Sequence, residues 1–196
     1  MIIMKNDRFS LYRIRDLALK SKRAVFSIQQ LANLIGKSKA VASVYSYRLV
    51  KTGLAKRLLS GKISFSDDEY VIASQLFEPS YISLYSALLF HNVISQVPRD
   101  IECVTTRNSI RYASFGIVYH KIPPSLFYGY TKYGKGNSYI FVAEPEKALI
   151  DSVYLNAISQ NQARELLNKM NRKRLEDFVK RYNGRGRKKI ERWLLR

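Results

Sequence analysis

Between Asp16 and Asp67 the chain has no acidic residue. Lys20, Lys22, Arg23, Lys37, Lys39, Arg48, Lys51, Lys56, Arg57 and Lys62 all fall in that interval. Solvated helices ordinarily mix both signs, so a cationic stretch of this length looks outward for its counter-charge. The net charge of +19 on 196 residues points to a polyanion, with nucleic acid ahead of an anionic membrane surface. Cysteine is almost missing: Cys103 alone excludes an internal disulfide and any cysteine cluster for zinc or iron and sulfur. His91 and His120 complete a sparse set of soft ligands, which strand alternation or a helix face explains more simply than a metal site. No apolar run approaches the roughly 18 residues that span a bilayer. The opening MIIMKNDRFS lacks the apolar core and cleavage site of a secretory leader. A cytoplasmic protein without a membrane partner is therefore expected.

What the chain does have is divided by charge. Residues 1–60 hold 13 Lys and Arg against 2 Asp and Glu; residues 61–160 hold 8 against 9; residues 161–196 hold 13 against 4. Two basic ends flank a neutral middle of ordinary globular composition.

The first segment reads as helices with clear punctuation. Leu11, Ile14, Leu17 and Ala18 recur at helical spacing, and Val25 and Phe26 form a short extended stretch. Ser27 and Gln30 make a capping box for a helix that Gly36 ends. Ser38 caps the next helix, with Val41, Tyr45 and Leu49 inward at steps of four and Gly53 as the stop. The period then changes to extended, LAKRLL and KISFS around the turn pair Ser60 and Gly61. A helix-turn-helix followed by a hairpin predicts a winged helix over 1–66. Its DNA-facing candidates are Lys37, Ser38, Lys39, Ser43, Ser46, Tyr47, Arg48 and Lys51 on the second helix and its entry, with Lys56, Arg57 and Lys62 on the wing. Cations suit phosphates and guanine edges, and small polar residues let a helix approach the major groove. Winged helices also serve as protein-interaction modules, which this charge disfavours.

From Asp67 the texture is that of an α+β domain, predicted over 67–196 with a mainly antiparallel sheet. A short helix over 70–76 and a second starting near Pro79 or Ser80 precede extended stretches at 101–106, 115–122, 126–131 and 138–143. A further helix begins at Pro145. Lys147 and Asp151 stand four apart on one face of it, a placement that capping and packing explain better than chemistry. A basic helical tail occupies 160–196. Within it Arg185, Arg187, Lys188 and Lys189, beside Trp193, suit either solvent or nucleic acid.

Catalysis has weak support. Asp67, Asp68 and Glu69, or Asp100 and Glu102, are the carboxylates that would hold magnesium, but the first group suits a helix start. GKGN lacks the spacing of a phosphate loop. No enzyme and no cofactor are expected.

The runs EPSYISLYSALLFHNVI and VAEPEKALIDSVYL, with the strands between them, resemble the C-terminal domain of AbiE-type (AbiEi) antitoxins, and the similarity extends over about residues 25 to 156. That resemblance implies an N-terminal winged helix that binds inverted repeats in its own promoter. It also implies a type IV toxin-antitoxin (abortive infection) system of phage defence. The C-terminal domain would counter a nucleotidyltransferase-like toxin without a stable complex. A stand-alone transcription factor with a ligand- or protein-sensing C-terminal domain is the alternative.

Overall fold

The computed structural model describes residues 10–195. The opening segment, read above for a leader, lies largely outside them. The described chain forms two compact units, 10–76 with 134–139 and 77–133 with 140–195.

The first unit runs α1 (Leu11–Lys20), β1 (Val25–Ser27), α2 (Ile28–Ile35), α3 (Lys39–Lys51), β2 (Lys56–Leu59), β3 (Lys62–Ser64) and α4 (Glu69–Leu76). Local chemistry sets these limits. Ser27 Oγ accepts from the Gln30 N–H while Gln30 Oε1 accepts from the Ser27 N–H, satisfying two donors at the start of α2. Gly36 ends α2 at φ +63°, left-handed backbone that a side chain would resist. The three strands pair antiparallel in the order β1-β3-β2, with a bulge between Arg57 and Leu59. Ile14, Ala18, Phe26, Leu31, Ile35, Leu49 and Ile63 share one core, each of the large side chains contributing roughly 1.5–3 kcal/mol by burial.

The charge change at Asp67 does not coincide with the division between units. Asp68 Oδ1 accepts from the Val71 N–H at the start of α4, which belongs to the first unit. Near its end, Gln75 Oε1 accepts from the Ala24 and Val25 N–H groups. Gln75 Nε2 donates to Ser138 Oγ and the Tyr139 carbonyl.

The second unit contains β4 (Ser80–Ile82), α5 (Leu84–Phe90), β5 (Ile101–Thr105), β6 (Ile110–Tyr112), β7 (Ile117–Lys121), β8 (Tyr130–Lys135), β9 (Ser138–Ala143), α6 (Pro145–Tyr154), α7 (Gln160–Leu167), α8 (Arg172–Val179) and α9 (Gly184–Leu194), the outer ends of β8 and β9 counting with the first. The sheet order is β6-β7-β5-β4-β9-β8. It is mostly antiparallel with parallel pairs mixed in: β4–β5 and β6–β7 are antiparallel, while β5–β7 and β4–β9 are parallel.

Segment 80–82 is a strand, not the start of a helix. It lies between β5 and β9 with all three residues buried, so no polar-apolar alternation marks it. The helix begins at Leu84, after Ser83. The edge strand β6 has no counterpart among the expected strands, and residues 124–126 form a 3₁₀ turn ahead of β8. The basic tail is not a solvated appendage: α8 and α9 pack on α6, burying Leu175, Val179, Tyr182, Ile190 and Leu194. Among the described residues no helix is long and apolar enough to cross a membrane.

Candidate nucleic-acid interface

α3 starts where Ser38 Oγ accepts from the Val41 N–H at 3.4 Å, and no acid occupies its first turn. Its buried side is Ala42, Ser46 and Leu49, with Tyr45 partly covered. This corrects the expected orientation. Val41 is 39 % exposed and Ser46 only 5 %, so the helix is turned by about one residue, roughly 100°, from the side marked by Val41. Small Ala42 and Ser46 on the buried side suit close packing against α2, leaving the larger valines outside.

Lys37, Lys39, Ser43, Tyr47, Arg48 and Lys51 are exposed, as are Ser38 and, on β2, Lys56 and Arg57. Ser38 is committed to its cap. Among the described residues no carboxylate pairs with Lys37, Lys39, Arg48, Lys51 or Arg57, while Lys56 reaches Asp67 at 3.9 Å across solvent. Arg15, Lys56 and Arg57 line one depression of about 640 Å³ at the C-terminal end of α3. Two candidates leave the set. Ser46 is buried, and Lys62 Nζ donates to the Leu76 carbonyl while half covered. Val41 and Val44, both exposed, were missed as outward residues; their only signal is that α3 is apolar on more sides than one core can use.

In the tail, Arg185 and Lys188 are exposed. Arg187 pairs with Glu191 at 2.7 Å. Lys189 Nζ donates to the Val153 carbonyl and Asn156 Oδ1 and lies 4.4 Å from the Trp193 ring centre, and burial, then Arg192, lowers its pKa. Lys189 therefore holds α9 on α6, and two of the four basic candidates face outward.

The acidic candidates are dispersed. Asp100 pairs with Arg111 at 2.8 Å. Glu102 accepts from the Tyr85 N–H, and burial raises its pKa. His120 stands 3.9 Å from Glu102, its pKa lowered by burial. The Cys103 thiol is buried and pushed up, chiefly by desolvation. Gly134 and Gly136 lie at the β8–β9 hairpin and lead into strand β9 rather than into the N-terminus of a helix. Among the described residues no group of three or more His, Cys, Asp or Glu is arranged to hold a metal ion. A cavity of about 370 Å³ opens beside Tyr85, Asp100, Glu102 and Gln162.

The α6 motif makes a closed polar cluster. Lys147 Nζ donates to Asp151 Oδ1 and to Tyr182 Oη, and lies 5.0 Å from the Tyr128 ring centre. Asp151 Oδ2 accepts from Tyr81 Oη and Ser83 Oγ, each at 2.9 Å. Burial lowers the Lys147 pKa while Asp151 opposes that shift. Both side chains are wholly covered, so the motif joins β4, α6 and the segment after α8. Glu144 caps α6 only with its backbone; its carboxylate meets Arg174 at 2.8 Å.

No family model matches the chain, and no curated protein does. Among solved structures, the crystal structure of the RV2827C protein from Mycobacterium tuberculosis is similar, with a TM-score of 0.53 and 13 % identity, covering 95 % of this chain and 77 % of that one. At that identity the likeness concerns the fold alone.

Proposed function

We propose that the chain is a DNA-binding antitoxin and autorepressor of AbiE type, whose first unit is a winged helix and whose second unit opposes a nucleotidyltransferase-like toxin without catalysis of its own. The observation that carries the DNA-binding part is the exposed face of α3 and the turn leading into it, where Lys39, Arg48 and Lys51 on the helix and Lys37 before it have no carboxylate partner among the described residues. The order α1-β1-α2-α3-β2-β3 with sheet order β1-β3-β2 supports the winged-helix part. A helix of this kind fits the major groove between two rows of phosphates, and its cations displace condensed counterions there. The antitoxin part rests on the motif VAEPEKALID, whose Lys147 and Asp151 organise the second unit.

The test has two arms. The full chain is titrated against duplexes from its own upstream region at several salt concentrations, and affinity is expected to fall steeply with salt. It is then co-expressed with the neighbouring gene, where rescue of growth from a nucleotidyltransferase-like product is expected. Salt-independent or absent duplex binding sinks the repressor; no rescue sinks the antitoxin.

The cavity beside Tyr85 and Glu102 favours a second reading, a transcription factor whose second unit senses a small ligand. Duplex binding without rescue selects it.

A further inference from the structure

Phosphate binding leaves the middle of α3's outward face unexplained. Val41, Val44 and Tyr47 are 39, 49 and 57 % exposed, three residues apart along the helix. A valine presents only methyl groups, which neither neutralise phosphate nor hydrogen-bond a base edge. The apolar group that base edges offer in the major groove is the C5-methyl of thymine. Val41 and Val44 fall in the first half of the 13-residue helix, the part that reaches base edges when a helix-turn-helix docks. Lys39 lies before them, and Arg48 and Lys51 after. A face with an apolar centre and cationic ends matches a groove floor of bases between phosphate rows.

Resting on the DNA-binding reading, we infer that Val44, with Val41 and Tyr47, reads thymine methyl groups, so that the recognised site carries fixed A·T pairs opposite this stripe. A second copy of the chain is the other occupant such a face could take. A two-fold interface there would set the same unpaired cations against each other, whereas a duplex supplies the opposite charge.

The full chain is used to select duplexes from a randomised thymine-containing library, and the tightest is resynthesised with deoxyuridine at one thymine at a time. That change removes a methyl group and leaves every hydrogen-bonding group in place. At one or more positions the parent is expected to bind about fourfold more weakly, the effect of one methyl group's burial. Val44→Ser and Val44→Asn, which carry no methyl group to meet thymine, are expected to lose that sensitivity at the same positions while keeping the salt slope. Uniform tolerance of deoxyuridine, or equal sensitivity in parent and variants, overturns the inference while leaving DNA binding standing. Failure to bind any duplex overturns both. Sedimentation showing that either variant breaks apart a self-associated parent assigns the face to a second copy and overturns the inference.

Discussion

Lys147 and Asp151 face each other within one turn of α6, and neither side chain has any solvent-accessible surface. An exposed pair at this spacing contributes a few tenths of a kcal/mol. A buried one leaves a stranded charge when either partner is removed. Asp151 also accepts from Tyr81, Ser83 and Tyr182, so its loss orphans more donors.

Lys147→Met and Asp151→Ala are each expected to cost about 3–5 kcal/mol, with Asp151→Ala the larger. Urea unfolding of the full chain checks both the size and the order. Losses below about 0.5 kcal/mol for both, the range of ordinary surface substitutions, would remove the pair from the stability of the second unit.

Gly129 stands at φ +71°, where an added Cβ would meet Lys147 Cγ at 3.0 Å and Cβ at 3.1 Å. Gly129→Ala therefore meets unfavourable backbone and a buried side chain already held by its partners. A loss of at least about 1 kcal/mol is expected, read as a lower melting temperature. An unchanged melting temperature contradicts this account.

Alkaline pH is expected to destabilise the chain. Burial raises the phenols of Tyr81, Tyr119 and Tyr182 above their ordinary value of 10.0. Above that pH the unfolded chain loses phenolic protons that the folded chain keeps, so stability is full below pH 10 and falls as pH rises through and beyond it. Lys147 acts oppositely. Its folded pKa is lowered from 10.5, so its contribution increases with pH between the lowered value and 10.5 and then levels off. Three phenols outweigh one ammonium above 10.5. Unfolding free energies between pH 10.5 and 11.5 should decline, and Tyr119→Phe should reduce the slope by about 1.4 kcal/mol per pH unit.

Lysines and arginines of the first unit should divide by role. Lys51→Ala and Arg57→Ala are expected to leave stability within about 0.5 kcal/mol and to lower the salt slope of duplex binding by about 0.9 for each phosphate no longer neutralised. Lys62→Ala, which removes the bond to the Leu76 carbonyl, should lower stability by about 1 kcal/mol and leave the slope in place. Thermal unfolding and binding at four salt concentrations separate the classes; an equal slope change for all three contradicts the division.

Helix limits were legible wherever one residue has a single local use. Ser27 with Gln30, Gly36, Ser38 and Pro145 each set an end that the structure reproduces. Orientation was less legible. Val41 and Ala42 are both apolar, and only packing against α2 selects Ala42 for the core. Ser46 is polar by type yet small enough to be covered. β4 escaped because a three-residue strand buried on both faces has no period to detect. Of the candidate interface, the cations were readable from composition. The withdrawal of Lys62 and Lys189 depended on carbonyls 14 and 36 residues away, which local sequence does not reveal.

Gln75 fixes one more property of the molecule, at the level of the gene. Its amide oxygen serves Ala24 and Val25, and its amide nitrogen serves Ser138 and Tyr139, so the first unit is encoded in two separated stretches of the reading frame. A single crossover after codon 76 transplants the amide without the downstream partners of its nitrogen, at a cost of about 1–3 kcal/mol for a buried donor left unpaired. The basic head is thus no exchangeable cassette. A transplant of the first unit that keeps these bonds carries the hairpin at residues 134–139 as well.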